Sequence, residues 1–234
     1  MERHFEIELD KLNKRILKMA SLVTEQVHDS LQALITCDQE IAKMIIEKDN
    51  KVDKMDNKID KLCQRIFALT QPVATDLRLI MSSLKMNNDL ERMGDHAVSI
   101  AWKIESLSDY KDIIEGFAIS DLAQTIDRIL AEMNQLLNTR NVSQVKEVFE
   151  MISKAEEQVQ SISAKVLEEM MKKTDVIIVA TNLMIILSQI ERIAAYAGNI
   201  CESIIFVVEG RLVKHKKLIS GREEPEEPPT EEED

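Results

Sequence analysis

The chain has 234 residues, enough for one large or two modest domains around a real core, with 44% hydrophobic and 31% charged residues. Aromatics are scarce at 3% and the only proline before the last ten residues is Pro72, a composition that excludes a β-sandwich and leaves long helices uninterrupted. The net charge of −12 is concentrated at one end: residues 223–234, EEPEEPPTEEED, hold eight acids and no base, so the rest carries −4 and offers no basic face for nucleic acid.

The protein is expected to be all-α, with six long helices. The first covers about 5–36; its opening, MERHFEIELDKLNKR, is charged throughout and lacks a signal-peptide core. Glu25 and His28 on it form a single E-x-x-H pair. The second covers about 39–69. A turn at LTQPV leads into the third, about 73–108, because proline favours the first turn of a helix. After the connection SDYKDIIEGF come segments at about 117–138, 142–173 and 176–209, with Gly210 as the stop. The uncharged run Val176–Ile190 is fifteen residues long. A spanning helix needs about 20, so this run is expected to be the central helix of a bundle with no direct membrane insertion. Cys37, Cys63 and Cys201 form no close pair, which suits neither a zinc site nor a disulfide framework and fits a reducing cytoplasm.

The chain repeats itself. A shift of 100 residues lays NDLERMGDHAVSI over SQIERIAAYAGNI, matching Glu91 with Glu191, Arg92 with Arg192, Ala97 with Ala197 and Ile100 with Ile200. Two tandem antiparallel three-helix bundles follow, over residues 1–112 and 113–220, with a disordered acidic tail at 221–234.

The first repeat carries an unusual set of acids. Along the third helix Leu77, Met81, Leu84, Asn88, Glu91, Asp95, Val98 and Trp102 are spaced by fours and threes, as in a buried seam, so three polar residues are expected to interrupt it. On the second helix Asp49, Asp53, Asp56 and Asp60 share a face bordering the apolar line Ile45, Val52, Met55, Ile59, Leu62 and Ile66. If the two helices are antiparallel neighbours, Asp49 and Asp53 converge on Glu91 and Asp95. Half-buried carboxylates need protons, bases or a multivalent cation, and oxygen-only ligation suits Mg²⁺, Ca²⁺, Mn²⁺ or an iron cluster. The competing reading is a solvated face, since Lys48, Lys51, Lys54, Lys58 and Lys61 alternate with the aspartates; Arg92 could also neutralise a carboxylate and Asn88 could fix register. His28 and His96 are better read as structural or surface residues than as ligands. Gly94 is read as permitting close helix approach. Met19, Met44, Met55, Met81, Met86 and Met93 are read as core fillers. No nucleophile–base set or glycine-rich phosphate loop is present.

The segment QPVATDLRLIMSSLKMNNDLERMGDHAVSIA closely resembles the signature of the PhoU family, and the likeness runs to about Lys217, including the ending VEGRLVKHK. The resemblance implies a cytoplasmic homodimer of two three-helix bundles and a negative regulator of phosphate uptake and the phosphate-starvation response. It implies two partners, a phosphate-sensing histidine kinase and the ATPase of a phosphate ABC transporter. It also implies a metal cluster, commonly iron or zinc, on paired E/D-x-x-x-D motifs, matched here by Asp49 with Asp53 and Glu91 with Asp95. The second repeat departs from that pattern: Ala195 and Tyr196 stand over Asp95 and His96, and Glu156 and Gln160 over Asp49 and Asp53. A single, first-repeat metal site is therefore expected. The alternatives are a metal-free helical scaffold, and a carboxylate-bridged di-iron oxidase, which one E-x-x-H pair serves poorly.

Overall fold

The computed structural model describes residues 2–213, and all their regular structure is helical. The expected acidic tail lies outside the described residues. The helices are α1 (Glu2–Thr36), α2 (Gln39–Lys48), α3 (Asn50–Leu69), α4 (Ala74–Ile104), the short α5 (Lys111–Glu115), α6 (Ile119–Thr139), α7 (Val145–Lys172) and α8 (Ile177–Glu209). Local chemistry sets the boundaries. Asp38 caps α2, its carboxylate accepting from the Glu40 and Ile41 backbone N–H groups at 2.8 and 3.1 Å. Pro72 precedes α4. Gly210 closes α8 at φ +74°, the left-handed conformation that glycine adopts without strain.

The expected second helix is divided, which corrects a continuous segment over 39–69. Asp49 keeps helical dihedrals, but its carbonyl accepts from Val52 N–H at 2.8 Å as well as from Asp53 N–H at 3.2 Å. The tighter i+3 bond breaks the regular ladder there. Beyond the break α2 forms a small core of its own: Ala42 and Ile45 meet Ala33 of α1 and Ala101 and Ile104 of α4.

Helices α1, α2–α3 and α4 make the first bundle, and α6, α7 and α8 the second. The bundles are fused, with α4 packed along α8 and α1 along α6. One core runs through both, from Leu12, Leu31, Leu90 and Ile100 to Ile129, Phe149, Ile190 and Ile200. Full burial of each such side chain stabilises the fold by about 1.5–3 kcal/mol. α8 is long and apolar enough to cross a membrane by length and composition, yet Leu183, Ile186, Ile190, Ile193, Ile200 and Ile204 on it are buried in this core. Helices α4 and α8 meet antiparallel: Asp89 bonds Asn199, His96 bonds Gln189, and Ser106, just beyond α4, accepts from Asn182 at 3.0 Å. His96 stacks on its own counterpart Tyr196 with ring centroids 5.6 Å apart, so a local two-fold axis between the repeats passes close to that pair.

The buried stripe of α4 lies one position away from the expected seam. Ile80, Ser83, Asn87, Leu90, Gly94, Ala97 and Ala101 are buried, whereas Trp102 is 64% exposed, Met81 52% and Leu77 39%. One residue turns a helix by about 100°, and α4 buries two faces, one on its own bundle and one on α8. A helix buried on two sides has a broad apolar surface, and spacing alone does not centre it. Among the methionines, Met19, Met55, Met86 and Met93 fill the core, while Met44 and Met81 are half exposed.

Candidate metal centre

α3 and α4 lie side by side in the first repeat, with Asp49, Asp53, Asp56 and Asp60 on the outer edge of one and Glu91 and Asp95 on the facing edge of the other. Burial raises the Asp49 carboxyl above its ordinary range, and the charges of Asp53 and Asp95 raise it further, against a lowering hydrogen bond from Gln26. Burial likewise raises Glu91; Asp95 adds to the shift, Arg92 opposes it, and Asp56 and Asp53 add smaller contributions. Burial raises Asp56, as do Asp60 and Asp53, while its hydrogen bond from Asn87 works the other way. Across the groove Asp49 feels the charge of Asp95, and Glu91 feels those of Asp56 and Asp53, so acids of the two helices lie within electrostatic reach of one another.

The solvated-face reading keeps support on α3, where Lys51, Asp53, Lys54, Lys58 and Lys61 are exposed. Among the described residues, Lys51, Lys54, Lys58 and Lys61 make no ion pair with the aspartates between them, and Lys48 turns to Glu25 and Asp29 of α1 at 3.3 and 3.4 Å. The nearest base is on α4 itself: Arg92 places Nε 3.7 Å from Glu91 and Nη1 3.7 Å from Asp95, with half its side chain exposed. Among the described residues, no three His, Cys, Asp or Glu side chains stand close enough to ligate one ion in this arrangement. A cation in the groove would need the carboxylates closer together than they stand.

The wall behind the acids was missed in the sequence. Gln26 of α1 is buried and donates from Nε2 to Asp49 Oδ1 at 2.9 Å, while its Oε1 has no partner. Asn87 of α4 is buried behind Asp56 and Asp60 in the same way, and its Oδ1 too has no partner. Gly94 makes room for this wall: a Cβ there would sit 3.2 Å from Gln26 Oε1, 3.3 Å from Val52 Cγ1 and 3.9 Å from Asp49 Oδ1. The usable signal was a polar residue inside an apolar line, Gln26 among Met19, Val23 and Val27, and Asn87 beside the expected Asn88. The donors along the groove are all oxygen, the type a hard cation takes, but among the described residues they are not gathered around one point.

The remaining candidates go elsewhere. His28 pairs with Asp127 of α6 at 3.0 Å across the two repeats, while Glu25 turns to Lys48, so the E-x-x-H pair does not act together. His96 faces α8, and burial lowers it below the ordinary imidazole range. Asp89, absent from the expected site, is buried against α8, which pushes its carboxyl up to about 6.

A bundle pair with an acid groove in one half defines a helical protein with a two-fold internal repeat. The PhoU domain family profile matches residues 16–104 and 119–204, one match per bundle. A phosphate-specific transport system accessory protein PhoU homolog of Clostridium acetobutylicum is 31% identical over 216 residues, covering 89% of this chain and 96% of that protein. A protein of the same description from Pseudomonas aeruginosa is 30% identical over 97% of this chain and 94% of its own length. The crystal structure of PhoU from Pseudomonas aeruginosa superposes with a TM-score of 0.82 at 29% identity, over 88% of this chain and all of that one. That of the phosphate transport system regulatory protein PhoU from Streptococcus pneumoniae gives 0.77 at 25% identity, over 90% of this chain and 99% of its own. The chain belongs to the PhoU family.

Proposed function

We propose that the protein is an accessory regulator of a phosphate-specific transport system, acting as a cytoplasmic homodimer that restrains phosphate uptake and the phosphate-starvation response. Family membership over both repeats supports this, as do relatives named as accessory or regulatory proteins of phosphate transport. Its partners are a phosphate-sensing histidine kinase and the transporter ATPase. It acts by contact and not by catalysis. Capture of both partners by the tagged full chain in phosphate-rich cells is the expected result; capture of neither in those cells overturns the reading.

Within that role, the first-repeat groove is proposed to hold a metal ion or cluster, iron or zinc by family likeness, on Asp49, Asp53, Glu91 and Asp95, with Asp56 and Asp60 at its far end. The observation that carries this is that burial and neighbouring acids raise Asp49, Asp56 and Glu91 along the α3–α4 groove. A bound cation supplies charge neutralisation and ties α3 to α4. The metal-free scaffold is the second reading, and Arg92 between Glu91 and Asp95 favours it. The di-iron oxidase finds no support, because Glu25 and His28 turn to different partners.

A further inference from the structure

The two edges of α3 carry opposite charges. Asp49, Asp53, Asp56 and Asp60 line the edge toward α4, whereas Lys51, Lys54, Lys58 and Lys61, exposed and spaced by threes and fours, line the edge toward α1. There Arg15 of α1 donates from Nη1 to the Lys58 carbonyl oxygen at 2.5 Å, which sets Arg15, and the exposed Lys18 one turn on, beside the lysine row. Among the described residues none of these cations makes an ion pair. The acids nearest them are held at the two ends of the row, Glu8 by Arg65 and Lys11, and Glu25 by Lys48. This corrects the expectation that the body offers no basic face: net charge averages over residues that helical spacing sorts onto opposite edges.

An anion of matching size belongs to the same chain. Residues 223–234, outside the described residues, hold eight acids and no base. Pro225, Pro228 and Pro229 favour an extended course of about 3.1 Å per residue, roughly 37 Å in all. The row from Lys51 to Lys61 is about 15 Å long at the helical rise. The described residues end within reach of it. Gly210 lies against the Arg78 guanidinium of α4, and Leu212 and Val213 line a cavity of about 250 Å³ with Met81, Lys85 and Phe206. From that groove between α4 and α8 to the far edge of α3 is two helix spacings, about 20 Å, and the stretch 214–222 reaches about 30 Å when extended. We propose that residues 223–234 dock on the α1–α3 face of their own chain and shield it, so that an acidic ligand reaches the face only by displacing them. The order of charge along the chain agrees. Lys214, Lys216, Lys217 and Arg222 come first and meet the acidic edge of α3, and the acids that follow meet the basic edge.

The test uses the full chain at about 0.01 M salt, where charges act over about 30 Å, and follows the fluorescence anisotropy of a labelled free peptide, EEPEEPPTEEED. A tethered tail at about millimolar effective concentration should hold the wild type to binding about 10-fold weaker than a full-length variant whose tail acids are replaced by Gln and Asn. Adding Lys54→Gln, Lys58→Gln and Lys61→Gln to that variant should abolish peptide binding and leave the melting temperature unchanged, because these side chains are exposed and unpaired. Equal peptide affinity in the wild type and the tail variant overturns the proposal, as does binding that survives the lysine substitutions. Carbodiimide cross-linking of unlabelled and isotope-labelled wild-type chains refolded together identifies whose tail is bound. Links from the tail to these lysines within one chain are expected; links that join labelled to unlabelled chains assign the face to the tail of a second copy and overturn docking in cis.

Discussion

The two repeats share a backbone plan but line their outer grooves with different chemistry. In the first, α3 and α4 present Asp49, Asp53, Asp56, Asp60, Glu91 and Asp95, backed by buried Gln26 and Asn87. In the second, α7 and α8 present Glu156, Gln160, Ser163, Leu167, Glu191 and Ala195, backed by Leu187. Packing is satisfied equally in both, since one core passes through them. Fold therefore does not require the acids. Their like charges raise one another's carboxyls, a cost that the proposed cation would relieve.

Restoring the missing groups to the second repeat should have the largest effect. Gln160→Asp and Ala195→Asp, added to the native Glu156 and Glu191, should create a second cation site where the wild type binds none. Equilibrium dialysis with Mn²⁺ or Zn²⁺ reads the count per chain; an unchanged count would show that the acids alone do not make the site.

Removing the first groove should have the next largest effect. At a hundredfold excess over Kd a cation stabilises by about 2.7 kcal/mol, or about 5–10 °C at 2–4 °C per kcal/mol for a chain of this size. Asp49→Asn with Glu91→Gln should erase that shift in calorimetry. The same carboxyls set a pH dependence in chelator. Because Asp49, Asp56 and Glu91 are raised on folding, their contribution to stability is full below the ordinary carboxylate range and lost as pH rises through the raised values. With a cation bound the dependence of this groove should reverse, since protons compete for the same oxygens.

Asp89 gives a smaller, independent contrast, for its counterpart is the neutral Gln189. Its carboxyl, pushed up to about 6 by burial against the lowering effects of Lys85 and the Asn199 hydrogen bond, is charged at neutral pH in the α4–α8 interface. Asp89→Asn should raise the melting temperature at pH 7–8 by about 2–8 °C and flatten the profile around the wild-type transition. The smallest effect belongs to Arg92→Ala. As a half-exposed pair with Glu91 and Asp95, Arg92 contributes at most about 1 kcal/mol, and its removal should leave cation affinity equal or higher.

Much of this was legible in the residues. The repeat, the long helices of each bundle and the packing of α3 on α4 follow from apolar spacing, short connections and the match of Glu91 with Glu191. The register of α4 was not legible, because a helix buried on two sides looks apolar over most of its circumference, and the polar seam residue is Asn87 where Asn88 was expected. The break at Asp49 carries no proline or glycine; Asp-Asn, two residues whose side chains compete for backbone bonds, was its faint mark. Gln26 was hidden for a different reason. Its partner Asp49 lies 23 positions away, and only tertiary packing brings an α1 amide to the end of α3.

Elemental analysis of the full chain, purified without chelators or affinity-tag metals, tests the asymmetry most directly. The predicted result is metal that disappears with Asp49→Asn and Glu91→Gln but persists unchanged with Glu156→Gln and Glu191→Gln. Metal indifferent to the first pair, metal lost equally with either pair, or a metal-free wild type would contradict it.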